Sequence, residues 1–208
     1  MKKISILFSA AALILASCAG NPEGKKADTS EAAVLSEATG VELTVDTTQS
    51  EVKWEGTKVT GSHHGIVRIN SGKLFIQNDT LSGGEFTIDV KNLENKDLEG
   101  EFKGKLEGHL KSADFFDVEK FPEASFAITK VTPEGPDKLN IAGNLTIRGV
   151  SKNVSFITDI TESTASKFDG KADFNIARED WGLTYAGKAD DLISKEINFK
   201  VHLVANKI

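Results

Sequence analysis

The side chains best suited to chemistry are scarce in this 208-residue chain, and their spacing limits what they can do. His63 and His64 are adjacent, and His109 lies further along. With a third ligand they would make a metal-dependent enzyme, using His63 or His64 together with His109. Adjacent residues in a strand point to opposite faces, so His63 and His64 cannot both face one ion. No HExxH or CxxC grouping accompanies them. A structural hydrogen bond near a turn, or a contact from His63 to a ligand head group, uses the same residues without a metal. Arg68, Arg148 and Arg178 are the only arginines. Arg178 is followed by Glu179 and Asp180, which fits an arginine–carboxylate pair pinning a turn. The other reading of Arg148 and Arg178 is recognition of a pyrophosphate or quinone oxygen. Asp114, Asp117 and Glu119 supply carboxylates, but nothing pairs them with a nucleophile, and Asp and Ser at short turns serve as caps. No Ser-His-Asp arrangement, phosphate loop or general-base constellation is present. The sequence therefore reads as a binding protein without cofactor or metal, with the His63/His64–His109 enzyme as an alternative.

The remaining reactive side chain is Cys18, the one cysteine of the chain. Met1-Lys2-Lys3 is a basic start, Ile4 to Ala16 an apolar run, and Leu15-Ala16-Ser17-Cys18 resembles a bacterial lipobox. The run is too short to span a membrane and has the layout of a secretory signal. Residues 1–17 are then a signal peptide, and Cys18 becomes the lipid anchor of a lipoprotein. An ordinary signal with an incidental cysteine is the bland reading. Ala19 in place of Asp after the cysteine favours sorting to the outer membrane, by resemblance to enteric lipoproteins, with the protein facing the periplasm. The formal net charge of −6 becomes −8 once Lys2 and Lys3 are removed. An acidic surface argues against nucleic acid as a partner.

These residues must be positioned by the rest of the chain. Residues 18–40 are small, polar and charged and read as a flexible tether. From Val41 the period changes to two, and residues 41–208 read as one domain. Phe86, Ile88 and Val90 alternate with polar neighbours. So do Leu145 and Ile147, then Val154 and Phe156, then Phe168, Ala172, Phe174 and Ile176, and finally Ile197, Phe199, Val201 and Leu203. Sustained alternation marks antiparallel strands wet on one side. Turn signals fall at Asn70-Ser71-Gly72, Gln77 to Thr80, Pro133 to Asp137 and Arg148 to Ser151. About eight strands joined by short turns favour a barrel or sandwich. The best helical candidate is Leu98 to Leu110, with Phe102, Leu106 and Leu110 on one face and Gly100, Gly104 and Gly108 weakening it.

The segment His109 to Phe126 places Phe115, Phe116 and Phe121 among charges and ends its local structure at Pro122. It reads as a lid or plug, with Phe115 and Phe116 docking onto the core. This run resembles the YceI-like family, whose members carry a similar HLKS-x-DFFDVEK stretch. His63-His64-Gly65 followed by Gly72, Gly83 to Asp89, Gly143 to Val154 and Ala177 to Gly182 are similar to further family motifs, in family order, over residues 42 to 206. Trp181 stands in the last motif's aromatic slot.

The resemblance implies an all-β fold, a lipocalin-like antiparallel eight-stranded β-barrel with a short helix or lid insertion. It also implies an apolar tunnel for a polyisoprenoid, isoprenoid quinone or fatty acyl chain, which the protein would sequester or shuttle. The expected lining is Trp54, Phe86, Ile88, Leu145, Ile147, Phe156, Phe174, Ile176, Phe199, Val201 and Leu203. Trp181 and Tyr185 are expected at the rim, and His63, Arg148 and Arg178 as head-group contacts. Apolar stripes more often simply fill a core, so a solid barrel serving as an adaptor is the third reading, with Trp54, Phe156 and Phe199 large enough to fill a small interior. Unpaired strand edges would permit a homodimer.

Overall fold

Period-two alternation is realised as long strands that close on themselves. The computed structural model describes residues 20–35 and 37–208. In chain order the strands are β1 (Lys25–Lys26), β2 (Asp28–Glu31), β3 (Val41–Val45), β4 (Glu51–Lys58), β5 (Gly61–Gln77), β6 (Thr80–Asn95), β7 (Glu123–Pro133), β8 (Lys138–Ile147), β9 (Val150–Ser163), β10 (Lys167–Ala177), β11 (Gly187–Lys188) and β12 (Asp191–Asn206). Helix α1 (Gly100–Lys111) lies between β6 and β7, and a single 3-10 turn (Arg178–Trp181) follows β10. Strands β5 to β10 pair in sequence, β10 pairs with β12, and β12 returns to β5 through β3 and β4. Because β3 and β4 are two halves of one stave, this is a closed eight-strand antiparallel barrel with one short helix. Closure removes the free edges that an open sheet would present.

At one end of the barrel the strand connections are fixed by local turn chemistry. Asn78 and Asp79 take positive φ between β5 and β6, as two-residue hairpin turns of the I′ class require. Between β3 and β4 the chain bends around Asp46. Its carboxylate accepts from the Thr48 hydroxyl, the Gln49 side-chain amide, and the Thr48 and Gln49 backbone N–H groups. These bonds, led by the Thr48 hydroxyl, lower its pKa to about 2. The opposite end carries α1, the β4–β5 and β8–β9 hairpins and the long β10–β12 connection.

Three expectations change. Asn70-Ser71-Gly72 is not a turn; it sits inside β5, at a bulge between Ile69 and Ser71. Polar residues there bend the strand, and a Cβ on Gly72 would overlap Phe86 of β6. Such a glycine marks close backbone approach as readily as a turn. Phe102 does not share the buried face of α1. It is 71% exposed, whereas Leu110 is buried and Leu106 half-buried.

The third change concerns residues 18–40. Gly20 to Glu31 is not a free tether; it is part of the wall. Strands β9 and β10 pair only from Thr158 to Ser163 and Phe168 to Ala172. Beyond that they part. There β1 runs parallel to β10 at Phe174 and Asn175, and β2 antiparallel to β9 at Lys152 to Ser155. The segment thus fills the seam. Sequence gives little warning, because Pro22 and Ala27 are its buried apolar residues and its docking relies on hydrogen bonds. Asn175 donates to the Pro22 carbonyl at 3.0 Å, and Asn198 donates to Asn175 Oδ1 at 2.8 Å. Both asparagines are buried, and buried polar groups need such partners. Residues 1–17 and Cys18 lie outside the described residues.

Candidate functional site: an apolar cavity with a polar mouth

The inward faces of the strands enclose a cavity of about 380 Å3 whose walls are almost wholly apolar, within the usual range for small-molecule sites, roughly 300–1,000 Å3. Its most ordered feature is an arc of phenylalanine rings on successive staves. Phe86 meets Phe126 at 5.5 Å, Phe126 meets Phe156 at 5.7 Å, Phe156 stacks on Phe174 at 4.0 Å, and Phe174 meets Phe199 at 6.1 Å. Phe126 on β7 reaches Phe156 on β9 because Gly143 on the intervening β8 has no side chain. A Cβ there would overlap the Phe126 ring. Below the arc the lining is Phe168, Ile128, Ile141, Ala172 and Leu203, with Thr158 among them.

All the charged and titratable residues that border the cavity come from the end bearing α1: Lys58, His63, His109, Arg178, Tyr185, Lys188, Asp191 and Glu196. That end is the mouth. Over it sit Phe115 and Phe116, with ring centroids 6.2 Å apart. The His109 ring packs edge-on against Tyr185 at 4.6 Å and Phe115 at 5.4 Å. The segment carrying these rings is held by backbone bonds to its own helix: Phe116 N–H donates to Leu110 O, and Val118 N–H to Lys111 O.

A hydrogen-bonded knot fixes α1 to the barrel. Asp97 Oδ2 lies 2.7 Å from His63 Nδ1, and Asp97 Oδ1 accepts from the His64 backbone N–H at 2.8 Å and from the Asn95 side chain. Glu107 of α1 accepts from the Asn95 backbone N–H at 2.8 Å. Burial works to raise the Asp97 pKa, but the bonds from His63, His64 and Asn95 together hold it below the ordinary carboxylate value.

Of the residues expected to line a tunnel, Trp54, Phe86, Ile88, Leu145, Ile147, Phe156, Phe174, Phe199, Val201 and Leu203 all border the cavity, as do Phe115 and Phe116. Ile176 does not; it is fully buried near the end of β10. Trp54, Phe156 and Phe199, the rings that the solid-barrel reading has filling the interior, border the cavity. Trp181 is not at the rim. It is fully buried and donates its indole N–H to the Leu145 carbonyl at 2.9 Å.

His63 borders the cavity with its Nδ1 engaged by Asp97, while His64 is exposed. Among the described residues no three His, Cys, Asp or Glu side chains gather in a metal-binding group. Arg148 lies outside the cavity, in the β8–β9 turn at φ 55°, and donates to Gly182 O. Arg178 borders the cavity but is 1% exposed. Its guanidinium donates to the carbonyls of Ser194 at 2.7 Å, of Leu183, and of Ile193 at 3.5 Å. Burial lowers its pKa from the ordinary value. It pins the β10–β12 connection through carbonyls, not through the expected carboxylates; Glu179 instead pairs with Lys195.

Sequence reading missed Phe126 and Ile128, although Ala124-Phe126-Ile128 alternates plainly in β7. It also missed Val52, Val67, Leu93 and Leu106. For Val67 and Leu93 the reason is the bulges between β5 and β6, which switch the inward parity within a strand.

Residues 43–205 match the family model of the YceI-like domain. The proteins called YceI of Salmonella arizonae and Salmonella newport are each 34% identical over 114 residues, which is 49% of this chain and 59% of theirs. The chain therefore aligns with less than two thirds of these relatives' length. Among solved structures, Burkholderia cenocepacia BcnA has a TM-score of 0.66 at 21% identity, over 78% of this chain and 99% of that one. A polyisoprenoid binding domain from Saccharophagus degradans, implicated in plant cell wall breakdown, has a TM-score of 0.60 at 13% identity, over 82% of this chain and 100% of that one. At these identities what is shared with the solved structures is the barrel.

Proposed function

We propose that this chain, which belongs to the YceI-like domain family, holds the apolar tail of a lipid inside its barrel and acts by binding rather than by catalysis. The cargo is a polyisoprenoid, an isoprenoid quinone or a fatty acyl derivative, and the protein sequesters or shuttles it. The observation that carries this reading is the cavity: about 380 Å3, walled by phenylalanine and aliphatic side chains, with charge only at one end. Such a site rewards burial of hydrocarbon at roughly 25 cal/mol per Å2 and asks for no hydrogen bonds along the tail. The solved neighbour described as a polyisoprenoid binding domain supports the choice of cargo class. His63 is the candidate head-group contact at the mouth. Arg178 serves mainly to hold the rim in shape, since its donors are turned to backbone carbonyls.

The second part of the proposal is attachment. Cys18 follows an apolar run and a Leu-Ala-Ser sequence, and we assign it as the lipid anchor after removal of residues 1–17. The protein then resides in the cell envelope, at the outer membrane facing the periplasm. Several acyl chains on one cysteine anchor firmly, at about 0.8 kcal/mol per buried methylene.

The test is native mass spectrometry with lipid extraction on the full chain purified from its own envelope. A stoichiometric prenyl, quinone or acyl species is the expected result. A chain that carries none, and that takes up neither polyprenyl alcohol nor a long fatty acid when these are added, overturns the proposal. The mass of the N-terminal peptide reads the modification of Cys18 in the same experiment.

A further inference from the structure

Among the described residues, four of the seven large exposed apolar side chains gather at one end of the barrel. Val59 (38% exposed) is at the β4–β5 tip, Phe102 (71%) on α1, Val150 (36%) in the β8–β9 hairpin and Leu192 (40%) beside β11. These four come from four separate elements, and all four elements project from the mouth. The Val59 and Leu192 tips are joined directly, since Val59 N–H donates to Leu192 O at 3.1 Å. The turns of the opposite end present none among the described residues; the other exposed ones are Val34 and Leu35 on the segment after β2, and the last residue, Ile208. Single exposed apolar residues need no explanation, but their concentration around one opening does.

A second observation points the same way. The described chain starts at this rim. The Gly20 carbonyl accepts from the Thr57 hydroxyl, and Asn21 Oδ1 accepts from Ser194 Oγ at 2.8 Å. Thr57 itself borders the cavity. What precedes Gly20 includes the apolar run Ile4 to Ala16 and then Cys18, two residues away, a span of at most about 7 Å. An attachment made at Cys18 is therefore made beside the cavity opening.

We propose that the mouth of the barrel is a membrane-docking face, with Val59, Phe102, Val150 and Leu192 entering the bilayer interface so that the cavity opens onto lipid. Cargo then passes between bilayer and barrel without crossing water. The docking is apolar in origin. The charges near the tips are largely paired, Lys58 with Asp191 at 2.6 Å and Lys105 with Glu101 at 2.6 Å, so the face suits a zwitterionic surface rather than an anionic one. The inference shares only the membrane attachment with the function proposed above and does not depend on the identity of the cargo.

The test uses the full chain reconstituted with phosphatidylcholine vesicles, with a nitroxide on a cysteine placed singly at Val59, Phe102 or Leu192, or at Asp79 or Glu134 on the opposite end. The parent chain, whose one cysteine is Cys18, gives the background. Labels at the mouth are expected to favour lipid-dissolved oxygen over an aqueous nickel relaxant by at least about fivefold relative to the opposite end, as side chains sunk roughly 5–10 Å into the interface would. Phe102→Ser combined with Leu192→Ser should reduce that ratio, and Val34→Ser combined with Leu35→Ser should not. Mouth labels as accessible to nickel as those at Asp79 and Glu134 overturn the proposal. So does a chain that stays in the supernatant. Lipid extraction of the same samples separates the two claims: sunken labels on an empty barrel keep the docking face and refute the cargo, whereas a loaded barrel with a wet mouth does the reverse.

Discussion

The two ends of the barrel are built by different physics. The far end rests on short-range backbone chemistry: a positive-φ pair at Asn78 and Asp79, a bend built around the Asp46 carboxylate, and polar turns. The mouth is covered by long-range packing, in which Phe115, Phe116, His109 and Tyr185 meet from two different connections. Three α1 glycines, the Asp97 knot and the Arg178 pin accompany it. A turn fixed by its own four residues opens only when the barrel unfolds. A cover fixed by packing can be loosened while the staves remain paired, as local opening requires. For the proposed lipid binding, the difference predicts that cargo exchanges at the mouth.

The largest test of that contrast is the pair Phe115→Ala and Phe116→Ala. Removing one buried and one half-buried ring should cost about 4 kcal/mol in urea unfolding, and it should also speed release of a bound fluorescent fatty acid. Leu74→Ala, in the far half, fully buried and outside the cavity lining, should cost nearly as much stability while leaving the release rate close to that of the parent. Equal release from both variants would mean that retention follows overall stability and that the mouth is not special.

Next in size is Arg178→Met. The chain keeps a long side chain there but orphans the carbonyls of Ser194, Leu183 and Ile193. Buried acceptors left without donors should lower stability by about 3 kcal/mol. The rim formed by the β10–β12 connection should exchange its amide hydrogens faster, while the far-end hairpins keep their protection. Uniform loss of protection would show that the two ends unfold as one unit.

Acid should separate the ends more gently. Asp46 and Asp97 both have folded-state pKa values below the unfolded 3.8. Each therefore stabilises the folded chain above about pH 4, and each contribution fades as pH falls through the depressed value. For Asp46 the loss extends down to about pH 2. Unfolding midpoints measured from pH 6 to pH 2 should fall less steeply in Asp97→Asn, which already lacks the titrating group. Hydrogen exchange at pH 3 should show the α1 knot loosening. An unchanged pH profile in Asp97→Asn would remove the knot from the account of the mouth.

This contrast also explains what the sequence made legible. Alternation such as Phe86-Ile88-Val90 and Phe199-Val201-Leu203 announces staves because burial on one face imposes period two. Turn dipeptides such as Asn78-Asp79 announce the far end because their conformation is local. The mouth depends on meetings between distant residues: His109 with Tyr185, Asp97 with His63, Arg178 with Ser194. No spacing rule encodes these, so Arg178 looked like a carboxylate partner and Trp181 like a rim residue. The seam segment was harder still to read. Gly20 to Glu31 is held by buried Asn175 and Asn198 and by backbone pairing, and a polar strand bound through its main chain has the composition of a tether.

The smallest effect tests whether the cover is kept weak. Gly104 and Gly108 lie inside α1, and a Cβ at either would meet nothing within 4 Å. Packing therefore does not require glycine at either position, and each glycine weakens the helix by roughly 1 kcal/mol against alanine. Gly104→Ala and Gly108→Ala should each raise stability by up to about 1 kcal/mol. Gly100 is different, since its φ of 55° would strain any other residue. If the mouth exchanges cargo by fraying of α1, the double alanine variant should also release a bound fatty acid several-fold more slowly. A stabilised helix with an unchanged release rate would place the moving part in the Ser112 to Phe121 segment alone, where Phe115 and Phe116 pivot while α1 stays folded.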